Sequence, residues 1–468
     1  VTLTARRSGG LLAAMLCAMT VQPIAQTMVV PILPSLAGEF AVSASDVSWV
    51  MTANLLAAAV LTPILGRLGD LHGRRRLLLL SLLGTVAGSV LAVSTHSFAL
   101  LLVARALHGI GGGVLPLAFG VIRAELPPER AARGMAMVST SMGIGSGLGV
   151  VAAGLLMEWW DYRAVFWLLL VLGLLAAAAV ALSVPADRGT DREGGGTSPL
   201  AAVTLAVWLC ALLVAVSQGN GWGWTGTRVL GLLSVAAVVC ALWLRVESRT
   251  RHPLIDLRML ARPTVALTNL AATLTGFGMY GAYIVMTSFA QVPQEYGFGF
   301  SATVLIAGLM LLPNSAGNLA AGTLAAALIA RRGPRTPLVL GGLLGAAAMA
   351  FLTVRHGSAV DLYLAGGVFG LGTGLAFAAI PVYVNSAVPP GQTAVANGTN
   401  AVLRTIGAAA GSAVTGAVLA GDTVAGTASP TLHAYQAAFM ITAAGFLAAA
   451  AVPFAIRSRP VPVHEEIS

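Results

Sequence analysis

The chain has 468 residues, of which 57% are hydrophobic and only 9% charged, with a mean hydropathy of +0.86. Soluble domains carry about 25% charged residues, so this chain cannot clothe a water-facing surface, and a soluble multi-domain enzyme is excluded. The net charge of +9 reflects 17 acids against 26 basic residues, with no basic cluster interleaved with aromatics, which excludes a nucleic-acid binder. Every basic residue is arginine. Together with the Ala/Gly/Leu/Val bias, this indicates a high-GC coding background and a bacterial source. Cys17, Cys210 and Cys240 lie in apolar stretches without paired spacing, so neither a disulfide framework nor a zinc site is expected.

A membrane-crossing helix needs about 20 predominantly apolar residues. In chain order, fourteen such stretches are expected: 10–35, 47–66, 77–94, 98–122, 134–157, 164–184, 200–217, 228–245, 264–289, 302–330, 337–354, 361–384, 396–420 and 435–456. The first is too long for a signal-peptide apolar region and has no clear cleavage site, so it reads as a span. The runs are continuous rather than alternating, which argues against a barrel. The expected fold is an all-α, multi-pass membrane protein whose bulk partner is the lipid bilayer.

Arginine placement orients it. With the N-terminus inside, 21 of the 26 arginines fall on the cytoplasmic side, Arg163, Arg228 and Arg355 fall outside, and Arg105 and Arg404 lie within spans. An even number of spans then puts both termini in the cytoplasm, and the expected location is a bacterial cytoplasmic membrane.

Internal similarity divides the chain. Leu126-Pro127-Pro128 is matched by Val388-Pro389-Pro390, 262 residues later. The glycine ladder Gly109 to Gly113 is echoed at Gly370 to Gly374, and Gly145, Gly149 and Gly154 find Gly407, Gly411 and Gly416. Three matches at nearly one offset imply a duplicated six-helix unit. The expected domains are an N-terminal half at 1–185, a cytoplasmic linker at 186–199, two inserted helices at 200–245, a cytoplasmic loop at 246–263, a C-terminal half at 264–457 and a tail at 458–468. Parallel repeats of this kind are a transporter architecture, with substrate bound near the midplane between them.

The loop after the second span reads Gly66-Arg67-Leu68-Gly69-Asp70-Leu71-His72-Gly73-Arg74-Arg75-Arg76. It resembles the major facilitator superfamily signature G-x-L-x-D-x-x-G-R-R/K. The resemblance implies a gating loop of Gly66, Gly69, Asp70, Gly73 and Arg74 that latches one access state. Asp70 has two natural partners there: a nearby arginine, or a helix N-terminus across the domain interface, where a carboxylate is favoured. The corresponding loop at 326–335 keeps Gly333 and Arg335 but has Ala330 in place of the acid, so the latch is expected on one side only.

In the fourth span, Arg105, His108 and Gly109 are similar to the family's R-x-x-Q-G motif, with histidine replacing glutamine. An arginine inside a span is costly and marks function by default; snorkelling to the outer interface is the alternative. In the fifth span, Gly145, Gly149 and Gly154 resemble the antiporter motif G-x-x-x-G-P-x-x-G-G, but Val150 replaces the proline and Ala153 a glycine. Close packing of small residues explains the same pattern. Thr27 to Pro34, followed by Trp49-Val50, is similar to the first-helix signature of the fourteen-helix drug:proton antiporter branch, yet Ala25 occupies its aspartate position.

None of the 17 acids is expected deep in a span, although proton relays in pumps usually use buried Asp, Glu or His. His108 is one candidate coupling residue, since imidazole titrates near pH 6.5, and an acid near a membrane face turning inward is the other. Arg105 would oppose protonation of His108. Gln22, Gln26, Asn54, Tyr280, Asn314 and Arg404 are candidates for the substrate cavity; each equally suits an interhelical hydrogen bond. The resemblance implies a multidrug or small-molecule efflux transporter driven by the proton gradient, without catalytic residues, cofactor or metal, and working as a monomer. A uniporter or symporter for a neutral or anionic metabolite, and a non-transporting sensor, are the alternatives.

Overall fold

The computed structural model describes residues 5–29, 32–42, 44–47, 49–185, 198–250, 253–310, 312–389, 392–424, 427 and 429–456. Most of the expected linker, at 186–197, and the expected tail at 458–468 lie outside the described residues, as does the side chain of Val150.

Long apolar runs become helices because hydrocarbon offers backbone groups no hydrogen-bond partner other than their own chain. The first set comprises α1 (Ala5–Thr27), the short α2 (Leu33–Glu39) and α3 (Ala44–Val47), then α4 (Trp49–His72), α5 (Arg74–Ser94), α6 (Phe98–Gly109), α7 (Val114–Glu125), α8 (Pro128–Trp159) and α9 (Arg163–Ser183). Two helices follow, α10 (Pro199–Trp222) and α11 (Thr227–Arg249), with the short α12 (Leu257–Leu260). The last set is α13 (Pro263–Gln291), α14 (Val304–Met310), α15 (Leu312–Arg332), α16 (Arg335–Val354), α17 (Ala359–Ala387), α18 (Thr393–Gly421) and α19 (Leu432–Ala455). Among the described residues no strand occurs beyond one isolated bridge, Thr423 with Pro430.

Among the described residues, twelve helical stretches are long and apolar enough to cross a bilayer. The expected spans at 134–157 and 302–330 are not among them. They correspond to α8, whose apolar part runs through residues only partly described, and to α14 and α15 on either side of residue 311. The first span also ends earlier than expected, at Thr27, and the chain then enters α2 with Pro34 in its first turn. Pro34 stands in the first turn of α2, where its missing N–H leaves no helical hydrogen bond unmade.

The two sets repeat one packing scheme. In the first, α1 packs on α8 and α9, α4 on α6, and α5 on α6 and α9; in the last, α13 packs on α18 and α19, α15 on α17, and α16 on α17 and α19. The sets meet along α4 with α18 and α8 with α15, flanked by α7 with α18 and α8 with α17. Helix α10 pairs with α11 and lies across the seam, touching both α4 and α18. Apolar cores fill each set, while side chains such as Leu182, Leu175 and Val238 point outward. An exterior this apolar suits acyl chains rather than water. At the C-terminal end of α8, Trp159 and the following Trp160 are exposed, a placement that suits a membrane–water interface.

The glycine ladder breaks the fourth span. Between α6 and α7 the backbone tightens into a 3-10 turn over Ile110–Gly113. A Cβ on Gly112 would stand 2.7 Å from the Thr62 hydroxyl, so α4 approaches this turn more closely than any side chain permits.

Candidate functional site

The polar groups separate into three sites. The first is where the last turns of α4 meet the first turn of α18, at the end of the seam expected to face inward. Gly73 has φ +105, a left-handed conformation open to glycine, and this reverses the chain between α4 and α5. The reversal brings Arg74, the first residue of α5, back over Asp70 in the last turns of α4. Arg74 donates from Nε and Nη2 to Asp70 Oδ1 at 3.0 and 2.7 Å, and from Nη1 to the Gly120 carbonyl at 2.9 Å. The other carboxylate oxygen, Oδ2, accepts from the backbone amide of Val395 at 3.3 Å, in the first turn of α18. Both expected partners of Asp70 are therefore engaged at once, one on each side of the seam. Gly66 makes this possible: a Cβ there would stand 2.9 Å from the Ala394 carbonyl. Gly69 lies buried beside Leu117. A further arginine crosses the seam next to the pair. Arg123 donates to Thr393 Oγ1 at 2.7 Å and to the Val388 carbonyl at 3.1 Å. Its position in the last turn of α7, just before Leu126-Pro127-Pro128, was the only signal in the sequence, and there it reads as an ordinary topology-setting arginine.

The second site is inside the first set, between α1, α4, α5 and α6. Arg105 is wholly buried, so it does not snorkel. It donates from Nε to the Val50 carbonyl and from Nη1 to the Ala25 carbonyl, both at 3.0 Å. Asn54 Nδ2 donates to the carbonyl of Arg105 at 3.3 Å. His108, also wholly buried, lies 3.4 Å from Arg105 Nη1 through Nδ1 and 3.0 Å from Ser89 Oγ through Nε2, with its ring stacked on Phe166. Ser89 donates its own proton to the Thr85 carbonyl at 2.9 Å. Arg105 has only donors, so Nδ1 is the acceptor, and Nε2–H then donates to Ser89. The chain of bonds is complete with a neutral imidazole; a proton on Nδ1 would break it and set two cations side by side. Gly109 allows the close contact with α4, where an added Cβ would stand 2.8 Å from the Asn54 carbonyl.

The third site lies on the seam itself. Leu115, Phe119 and Met142 from α7 and α8 face Phe377, Ile380, Pro381, Asn397, Asn400 and Arg404 from α17 and α18. They enclose about 10 Å³, room for about one water. The Arg404 guanidinium sits 4.9 Å from the ring centre of Phe377, a cation–π arrangement. Asn400 donates to Asn269 Oδ1 at 2.8 Å and Asn397 to Asn385 Oδ1 at 2.6 Å, so both amides are oriented by their own half.

The expected cavity residues divide among these places. Arg404 lines the seam cavity, with Tyr280 near it and edge-on to Tyr283 at 6.3 Å. Tyr283 donates to Asn314 Oδ1 at 3.2 Å, which ties α13 to α15. Gln22 and Asn54 do not line this small cavity; both are buried, Asn54 bonded to the Arg105 carbonyl and Gln22 packed against Gly111. Gln26 is half-buried near the end of α1. Gly145 and Gly149 pack on α1, where added Cβ atoms would stand 2.9 and 3.1 Å from the carbonyls of Thr20 and Ile24. Gly407 and Gly411 meet the carbonyls of Thr273 and Phe277 on α13 in the same way. Gly154 is half-buried farther along α8. Phe377, Asn397 and Asn400 carried no motif, and only the packing of α17 and α18 brings them to the seam.

The sequence profile of the Major Facilitator Superfamily matches residues 15–412. The chain is 29% identical to Multidrug resistance protein Stp of Mycobacterium tuberculosis over 391 residues, covering 83% of this chain and 71% of that one. It is 28% identical to the Tetracenomycin C resistance and export protein of Streptomyces glaucescens, covering 83% of this chain and 71% of that one. Among solved structures, the human organic anion transporter MFSD10 (TETRAN) superposes with a TM-score of 0.64 at 18% identity, covering 95% of this chain and 99% of that one, a likeness of fold. From its profile match, its helical architecture and its relatives, the chain belongs to the Major Facilitator Superfamily and is a multi-pass membrane transporter, not an enzyme.

Proposed function

We propose that this transporter exports hydrophobic or amphiphilic small molecules from a bacterial cytoplasm by alternating access, in exchange for protons. The names of its bacterial relatives, a multidrug resistance protein and an antibiotic export protein, support efflux. The observation that carries alternating access is the polar seal at the inner end of the seam. Asp70 and Arg123 reach across it through a few hydrogen bonds. Contacts of that kind can break and re-form as two bodies rock.

In this reading the chain has fourteen membrane helices, in halves 1–185 and 264–457 with an insert at 200–245. Both termini are cytoplasmic, the location is the plasma membrane, and the working unit is a monomer. Arg404 over Phe377 forms the substrate-facing surface, which suits neutral or anionic amphiphiles better than cations. His108 holds Arg105 in place rather than carrying the proton, because its neutral form completes the bond chain. The position of Ala25, where the branch has an acid, favours a second reading: a uniporter or symporter of the same fold.

Purified protein in proteoliposomes with an imposed pH gradient tests the choice across neutral, anionic and cationic compounds. Antiport predicts uphill movement of at least one compound with stoichiometric proton release. Transport indifferent to the gradient for every compound moved selects the uniporter. Replacing His108 with Gln is expected to keep the pH dependence of transport; a flattened profile would return His108 to the coupling path.

A further inference from the structure

The packet of α1, α4, α5 and α6 holds a full positive charge with no carboxylate beside it. Arg105 is wholly buried, and while Nε and Nη1 donate to carbonyls, Nη2 has no hydrogen-bond partner. One turn before Ala25 on α1, Gln22 is buried, and both atoms of its side-chain amide are likewise unpartnered. Among the described residues, no carboxylate is bonded to Arg105: Glu39 on α2 and Asp46 on α3 are exposed, and Glu39 is engaged by Arg163. Helices α1, α5, α6 and α9 contain no acid, and the acid on α4, Asp70, is sixteen residues beyond Asn54 at the inner end and engaged by Arg74. His108 is the other titratable group in the packet, and it accepts from the same guanidinium.

An uncompensated buried cation costs several kcal/mol, and carbonyl dipoles offset that only in part. Buried polar atoms left without partners call for a further occupant. Here Arg105 Nη2 on α6 and Gln22 Nε2 on α1, one turn before the Ala25 carbonyl that Arg105 engages, are donors without a partner, and Gln22 Oε1 and Asn54 Oδ1 are acceptors without one. Space limits what can join them. A Cβ on Gly88 would lie 3.0 Å from the His108 ring, and one on Gly111 would collide with the Gln22 amide and stand 2.7 Å from the Thr85 hydroxyl. An organic carboxylate is too large for such a packet.

We propose that the Arg105–Gln22 packet binds a small inorganic monovalent anion, of the size and charge of chloride, as the resident counter-ion of Arg105. The anion accepts hydrogen bonds from Arg105 Nη2 and Gln22 Nε2 and neutralises a buried charge that no bonded carboxylate offsets, position 25 being alanine. Its role is independent of what the protein exports, so it stands whichever transport reading holds.

The test uses the full-length protein in detergent, melted in sodium chloride and in sodium gluconate at matched ionic strength, with retention of radiolabelled chloride measured in parallel. The expected result is a saturable rise in melting temperature with chloride, about 3 °C or more, and one retained chloride per chain. Gln22→Leu is expected to weaken the chloride response. Ala25→Asp supplies a carboxylate next to the carbonyl that Arg105 already engages, and is expected to abolish the response. Equal melting in both salts with no retained chloride overturns the proposal, and so does a chloride response that survives both substitutions. Stabilisation by exported carboxylate compounds but not by chloride overturns it as well, since the anion would then be the transported solute.

Discussion

The seam between the two helix sets has two related sides, α4 against α18 and α15 against α8, and they are chemically unequal. On the first side Asp70 is clamped by Arg74 and by the amide of Val395, Arg123 reaches Val388 and Thr393, and Gly66 lies against the Ala394 backbone. On the second side the loop after α15 keeps the left-handed glycine, Gly333 at φ +72, but residue 330 is alanine. Among the described residues no ion pair joins α15 to α8. The contacts there are softer. A Cβ on Gly147 would meet the side chain of Ser315 rather than backbone, and Asn385 Nδ2 lies 2.9 Å from the Met135 sulfur. The turn and the packing recur on both sides, while the charged contacts are concentrated on one. If, as proposed, this end faces the cytoplasm, opening there is expected to be controlled at α4 and α18.

The ratio of inner-open to inner-closed protein, read from distances between spin labels at the inner ends of α5 and α16, puts numbers on this inequality. Asp70→Asn has the largest expected effect. The bond it weakens across the seam is the charge-assisted one from the Val395 amide, and hydrogen bonds to charged groups are worth about 1.5–3 kcal/mol, so a loss of about 2 kcal/mol raises the open ratio about 30-fold. A distance distribution unchanged from the parent would sink the latch assignment. Gly66→Val comes next: overpacking against a fixed carbonyl costs about 1–3 kcal/mol, so the open ratio rises about tenfold. Gly147→Ala, its comparison on the other side, should shift the ratio less than about twofold, because the Ser315 side chain can turn away. If the two glycine variants behave alike, the sides are not unequal. Arg123→Gln removes one charged donor in a half-buried position, worth about 1 kcal/mol, and is expected to raise the ratio about fivefold. Ala330→Asp has the smallest expected effect, less than about twofold toward the closed state, because its nearest arginines are at the polar membrane surface, where ion pairs contribute about 0–1 kcal/mol. A large shift there would mean that the second side lacks only its acid.

Much of this could be read along the chain, because the bilayer makes local demands. Hydrocarbon thickness sets the length of an apolar run, and the inner-side bias of arginine sets its direction, so the membrane class and the positions of most helices follow from composition and spacing alone. The latch was equally legible. Three glycines, one acid and an arginine at set intervals describe a turn and the ion pair across it, and both partners of Asp70 follow from a carboxylate's preference for arginine and for a helix N-terminus. The end of the first span at Thr27 was not read correctly, since the apolar run continues past it into the separate short helix α2.

What could not be read was the orientation of each helix about its axis and the identity of its neighbour. Arg105 was plainly inside a span, but its carbonyl partners are 55 and 80 residues away on two other helices. Gln22 and Asn54 looked like cavity residues until packing turned them toward that arginine, and Arg123 looked like a surface charge until α18 came within its reach. Burial in a bilayer is governed by the polarity of each stretch, which is written locally. The partner of a buried polar atom is governed by how a dozen or more near-cylinders pack together, and that arrangement exists only when the whole bundle has formed.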